Sequence, residues 1–287
     1  MSFPGAETQS FAGRRVVITG ASRGFGRALA ERFHGLGATL LLLARNTVDL
    51  RAVAESLSDV RVSTAACDLN DPDAAARILT GDWGAPDILI NNAGIQGRIG
   101  PFAASDSADW EQVLRVNLLA PVALCRACLP GMIARSRGRI INLSGGGATG
   151  PRPGFSAYAV AKTGLVRFTE TVAAEVRDHG VTLNAIAPGA MPTAMMREIV
   201  VAGPAAGPRE VEIAEKVLAE GDRVILRAVD LCVFLASDAG AGVSGKLLAA
   251  MWDPWDRLGD RTADLSGDVY TLRRIVPKDR GMNWGDI

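Results

Sequence analysis

Residues 14–26 read RRVVITGASRGFG, and the fold turns on them. The run Val16–Ile18 is apolar and β-branched and leads into Gly20, as a buried parallel strand does. Residues 24–37, GFGRALAERFHGLG, space their apolar side chains at helical intervals and close on Gly37. Strand, glycine-rich turn and helix in that order open a βαβ unit. Glycines at 20, 24 and 26 permit a tight turn and a close backbone approach to a pyrophosphate. The free N–H groups and positive dipole end of the helix favour the same anion.

The alternation repeats outward from that stretch. Residues 38–46, 60–69, 86–94, 138–146, 181–189 and 245–252 read as strands, and helical patterns lie between them at 47–58, from 71, at 109–129, 156–180 and 228–240. This predicts an α/β fold of the Rossmann type: one doubly wound domain over residues 1–252, its seven-stranded sheet mostly parallel, with helices on both faces. Residues 190–222 break the pattern with Met, Pro and Gly around two short helical stretches, and read as a lid. There Met191, Met195, Met196, Ile199 and Val200 either pack the lid down or form an adaptable apolar wall for a substrate. Residues 253–287 form an extension of turn-rich clusters without periodicity. It is expected to pack on the domain or on a neighbouring subunit, or to fold over the mouth of the site and offer Trp to a ring-shaped substrate.

Composition narrows the class. Of 287 residues 48% are hydrophobic and only 5% aromatic, so the core is built from Ala, Val, Leu and Ile. Lys plus Arg and Asp plus Glu number 31 each, which leaves no electrostatic footprint for nucleic acid or an anionic membrane. The N-terminal residues lack a basic region followed by an apolar run, and no apolar run approaches the ~20 residues of a bilayer span. A cytoplasmic protein with reduced thiols is expected. Cys125 and Cys128 form a CxxC inside a helical pattern and read as buried thiols one turn apart, with no metal site expected.

Two groups of residues carry chemistry. The second strand ends in Leu43-Ala44-Arg45-Asn46, without the carboxylate that holds the ribose 2′-hydroxyl of NAD. Arg45, seconded by Arg23 in the turn, suits a 2′-phosphate instead, so NADP(H) is expected over NAD(H). Tyr158 and Lys162 stand four apart at the head of a helix, one turn apart on one face. A nearby cation favours the phenolate of a tyrosine and fits it for proton transfer at neutral pH.

The spacing TGxxxGxG from Thr19 to Gly26 resembles the short-chain dehydrogenase/reductase family, and the likeness extends in order through Asn91-Asn92-Ala93-Gly94, Tyr158-xxx-Lys162 and Pro188-Gly189, over roughly residues 12–250. The resemblance implies that Gly20, Ser22, Arg23, Gly24, Phe25 and Gly26 cradle the nucleotide with Arg45, and that Asp68 and Leu69 meet the adenine. It implies that Asn91, Ala93 and Gly94 lie along the ribose side, Asn91 also holding the sheet. Pro188, Gly189 and Thr193 would border the nicotinamide, and Lys162 its ribose. Tyr158 would be the acid or base, and Asn117 would stabilise a kink and a water leading to the lysine. One departure stands out: the family serine thirteen residues before the tyrosine falls on Gly145, with Ser144 one place earlier. Either the glycine run lets Ser144 take the role, or a glycine N–H or Ser156 takes it.

The expected activity is therefore carbonyl–alcohol interconversion on a small molecule, by a homodimer or homotetramer. Two alternatives stay open: a redox-neutral epimerase-like relative, and a non-catalytic NADP(H)-binding protein.

Overall fold

The computed structural model describes residues 9–57, 60–81, 83–221 and 223–283. Residues 1–8 of the lead-in, Ser58 and Asp222 at the ends of two expected segments, and the last four residues of the extension lie outside them. Strands Arg15–Thr19 (β1), Thr39–Ala44 (β2), Val62–Ala66 (β3), Ile88–Asn91 (β4), Gly138–Leu143 (β5), Val181–Ala187 (β6) and Leu247–Ala249 (β7) form one seven-stranded sheet. Its order is β3-β2-β1-β4-β5-β6-β7, and every pairing is parallel. The strand order reverses between β1 and β4, which opens a crevice beyond their carboxyl ends.

The two faces of the sheet explain the unbroken apolar runs. Val16, Ile18, Leu40 and Leu42 pack with helix Gly24–Gly35 (α1) and helix Arg223–Ala236 (α9) on one face. Val17, Leu41, Leu43 and Leu89 pack on the other, with helix Pro72–Thr80 (α3) and helix Ala120–Ala134 (α5). Both phases of the two-residue repeat are buried, so no polar alternation survives in the sequence. Helix Thr47–Leu57 (α2) follows β2.

The helix expected at 109–129 is longer and interrupted. Asp106 caps its start by accepting from Ala108 N and Asp109 N, and Ser107–Leu114 (α4) runs through a π-helical turn, Arg115–Leu119, into α5. No apolar run in this stretch nears 20 residues, yet taken whole its 28 residues are long and apolar enough to cross a membrane by length and composition alone. Its apolarity has a local cause: Leu124, Cys125, Cys128 and Met132 are fully buried in the face against the sheet. All four cysteines are buried free thiols, and burial pushes Cys125 up to about 12.

Helix Ser156–Glu175 (α6) follows β5, and the lid folds as helices Ala194–Ala202 (α7) and Pro208–Glu220 (α8). The extension packs on its own chain. Trp255 is 1% exposed, donates from Nε1 to Ala250 O at 2.9 Å and sits 5.9 Å from the Phe234 ring on α9. Leu247 N donates to Tyr270 O at 2.8 Å, so the extension covers the outer edge of β7. No described residue of the extension lines the cleft described next, and Trp252 is 77% exposed.

Candidate active site

A cleft of about 900 Å³ runs along the carboxyl ends of the strands. One end is built by the turn after β1. Gly20 has φ +67, and a Cβ there would lie 2.9 Å from Ala93 Cα; one on Gly26 would lie 2.2 Å from Gly20 O. Only glycine lets turn, helix and β4 approach this closely. Thr19 Oγ1 accepts from Asn92 N and Ala93 N at 3.0 Å, and Asn92 Nδ2 donates back to Thr19 O at 2.8 Å. The turn is thereby tied to the loop after β4. Gly20, Ser22, Arg23, Gly24, Phe25 and Gly26 all line the cleft, as do Arg45, Asp68 and Leu69 beyond the neighbouring strands. Arg23 and Arg45 are exposed, and among the described residues neither pairs with a carboxylate. Asn46 accepts from Val48 N and Asp49 N, starting α2 beside Arg45.

Ala93, Gly94, Tyr158, Lys162, Ser144, Pro188 and Thr193 line the rest of the wall. Three candidates do not. Asn91 is 2% exposed and donates to Asn142 Oδ1 at 2.8 Å, while Asn142 donates to Thr169 Oγ1 at 2.8 Å; it joins β4 to β5 and α6. Gly189, at φ +92, turns the chain against Met251 and Val224. Asn117 is fully buried inside the π turn: its Oδ1 accepts from Ile95 N at 3.0 Å and its Nδ2 donates to Ile95 O at 2.7 Å. It pins the loop that carries Gly94, whose absent Cβ would meet Asn117 Oδ1 at 2.8 Å and Lys162 Nζ at 3.5 Å. Ile95, Val116, Pro192, Arg197 and Glu198 line the cleft without having been singled out from the sequence, and Asn92 lines it too, named there only as part of a motif. The pattern NNAG was a signal for Asn92; the lid residues carry no motif.

Tyr158 is 6% exposed and Lys162 3%, with Lys162 Nζ 5.6 Å from the phenol ring. Nζ donates to Leu143 O at 2.7 Å. Burial lowers Lys162 to about 8 and raises Tyr158 above its ordinary value. The cation that opposes the burial of Tyr158 is Arg152.

A Cβ on Gly145 would lie 2.4 Å from the Tyr158 hydroxyl, so that hydroxyl occupies the space a side chain at 145 would need. Ser144 Oγ is buried on the cleft wall with no hydrogen-bond partner among the described residues, whereas Ser156 Oγ accepts from Trp110 Nε1. Of the lid methionines, Met191 and Met195 line the cleft; Met196, Ile199 and Val200 pack around Tyr158 and Phe155. Arg273 is held within the extension by Asp268 and Asp279.

Comparison with known proteins agrees with this architecture. Residues 14–202 match the family model described as short chain dehydrogenase. A 3-oxoacyl-[acyl-carrier-protein] reductase of Vibrio harveyi is 32% identical over 82% of this chain and 95% of its own. Gluconate 5-dehydrogenase of Gluconobacter oxydans is 34% identical over 67% of this chain and 76% of its own. The structure of a putative NAD(P)-dependent gluconate 5-dehydrogenase from Beutenbergia cavernae, with NADP bound at low occupancy, superposes with a TM-score of 0.74. It is 32% identical and covers 84% of this chain and 96% of its own. With its parallel sheet, glycine turn and Tyr158–Lys162 pair, the chain belongs to the short-chain dehydrogenase/reductase family of oxidoreductases.

Proposed function

We propose that the protein is an NADP(H)-dependent oxidoreductase that interconverts a carbonyl and a secondary alcohol on a small molecule. The observation that carries this reading is the burial of Tyr158 and Lys162 together on the wall of one continuous cleft, whose far end presents Arg23 and Arg45 to solvent. The residues present fit the nucleotide. Gly20 and Gly26 leave a cradle that any Cβ would fill, the α1 N-terminus has no acidic residue in its first turn, and the exposed guanidinium groups of Arg23 and Arg45 line the same cleft and suit a 2′-phosphate. The turn residues 20–26 would hold the phosphates, Arg23 and Arg45 the 2′-phosphate, Asp68 and Leu69 the adenine, Ala93 and Gly94 the ribose side, and Pro188 and Thr193 the nicotinamide end.

A nicotinamide held there would supply or accept the hydride. Tyr158 gives its hydroxyl proton to the carbonyl oxygen in reduction and takes it back in oxidation. Lys162 would hold the ribose hydroxyls and, charged in the loaded site, favour the phenolate. The unpartnered hydroxyl of Ser144 donates a hydrogen bond to the reacting oxygen, the role that Gly145 lacks a side chain to perform. Met191 and Met195 close the apolar side against water.

Nicotinamide absorbance during turnover with a carbonyl panel tests the reading. NADPH is expected to bind more tightly than NADH, with Arg45→Asp narrowing that preference, and Tyr158→Phe to lose more than about 100-fold in turnover while still binding NADPH. Turnover without net change in absorbance would point to the redox-neutral alternative; NADPH binding with silence across the panel would point to a non-catalytic role.

A further inference from the structure

Arg152 sits in the loop between β5 and α6, with its guanidinium carbon 3.8 Å from the Phe155 ring centre and 5.8 Å from that of Tyr158. It is held in a two-point ion pair by Glu210, in the first turn of lid helix α8: Nε donates to Oε1 at 3.2 Å and Nη2 to Oε2 at 2.6 Å. Its side chain is 13% exposed and that of Glu210 26%. The loop lies close to the glycine run: a Cβ on Gly147 would lie 3.3 Å from Arg152 Cβ, and one on Gly146 would be in ordinary contact with the guanidinium at 3.9 Å. Gly145 admits the Tyr158 hydroxyl, and Arg152 lies against the next two glycines.

We propose that Arg152 is a positioning residue for proton transfer, acting on Tyr158 through its charge, and that Glu210 on the lid sets how much of that charge Tyr158 feels. This deepens the reading of Tyr158 as the acid and base and rests on it. The charged groups around the phenol are few. Lys162 lies 5.6 Å from the ring within α6, Arg152 and Glu210 form the pair just described, and Arg197 and Glu198 of α7 line the same cleft. Arg152 is the cation that opposes the burial of Tyr158. A carboxylate bound to that cation weakens its field at the ring, so a lid that carries Glu210 away strengthens it. Lid position and tyrosine acidity are then coupled through one ion pair.

The test reads the phenol directly. Tyr158 and Tyr270 are the two tyrosines of the chain, so in a Tyr270→Phe background the near-ultraviolet phenolate absorbance follows Tyr158 alone. Arg152→Gln is expected to raise the midpoint by about half to one pH unit, and Glu210→Gln to lower it by a similar amount. Arg152→Lys, which keeps the charge and loses the two-point grip, is expected to hold the midpoint within a few tenths while raising KM. The pH profile of kcat/KM in the oxidative direction is expected to move its acid limb the same way. No shift, or shifts of the same sign in Arg152→Gln and Glu210→Gln, would overturn the proposal, since loss of packing alone moves both variants alike. The titration needs no substrate. If Tyr158→Phe kept full turnover, the assignment of Tyr158 would fall by itself; if Tyr158→Phe lost turnover but the titration stood still, only the role of Arg152 would fall.

Discussion

Gly145 is the residue at which this chain departs from its family's motif, and its environment makes a sharp prediction. Restoring the family serine should harm the enzyme, because the new Cβ would meet the hydroxyl of the buried Tyr158 at 2.4 Å and push it from its place on the cleft wall. Gly145→Ser is expected to cost about 1–3 kcal/mol of stability by overpacking and to lower turnover more than about tenfold by displacing the phenol. Chemical denaturation and steady-state kinetics measure both; an active, equally stable variant would mean the hydroxyl lies elsewhere. Lys162 makes a second prediction at this scale. Its ammonium is disfavoured by burial, so its folded value, about 8, lies below the unfolded 10.5. Between those values the unfolded chain binds more protons, and stability rises with pH on account of this group. The penalty is fully present below pH 8 and amounts to about 3 kcal/mol at most. Lys162→Met removes it, so unfolding free energies of the two proteins should differ by an amount that shifts in favour of wild type from pH 8 to pH 10.5; a constant difference across that range would mean the lysine is solvated. The fork between Ser144 and Gly145 was visible in the sequence; that the Tyr158 hydroxyl fills the space beside Gly145 was not, because it depends on where a side chain thirteen positions away ends.

Elements place these groups, and the π turn at Arg115–Leu119 is the least replaceable of them. A straight α-helix through this stretch would keep Asn117 in the ladder's register; the wider turn lets its side chain replace a strand partner for Ile95, satisfying one N–H and one C=O that would otherwise be buried alone. Asn117→Ala is expected to cost about 2–4 kcal/mol and to loosen the loop bearing Gly94 and Ile95, which line the cleft. The signature is weaker NADPH binding together with lower stability, and Asn117→Asp, which keeps only the acceptor, should fall between. Loss of activity without loss of binding would instead place Asn117 in the chemistry. The strands and helices themselves were legible, since each buried strand is an apolar run ended by Gly, Asn or Pro. The π turn was not, because residues 109–129 carry an uninterrupted helical pattern and one inserted residue leaves no trace in it. Asn91 and Asn92 illustrate the same limit: the pair was conspicuous, yet only the strand's end decides that Asn91 faces β5 and Asn92 the glycine turn.

At the scale of the whole molecule, the extension is part of the fold. Its sequence lacks periodicity because its backbone is mostly turns and short 3-10 helices, and its hydrophobic side chains are spaced for single docking points. Three of those points, Trp255, Leu258 and Leu265, are buried in the same core as α1, α9 and β1. Tyr270 lends its carbonyl to Leu247, Lys246 Nζ donates to Val269 O at 2.9 Å, and Leu272 N donates to Glu170 Oε1 at 2.6 Å. The extension thus seals both the α9 surface and the open edge of β7 from within the chain. Trp255→Ala should therefore cost about 3–5 kcal/mol, the range for emptying a large buried aromatic site. A chain ending at Trp252 should lose more, and its bared strand edge should make it associate or precipitate rather than stay a stable domain. Thermal unfolding and sedimentation of the full chain, Trp255→Ala and the shortened chain decide the matter. If the shortened chain unfolds at the full chain's temperature, sediments as the full chain does and binds NADPH equally well, then the contacts made by residues 253–283 contribute nothing to the fold.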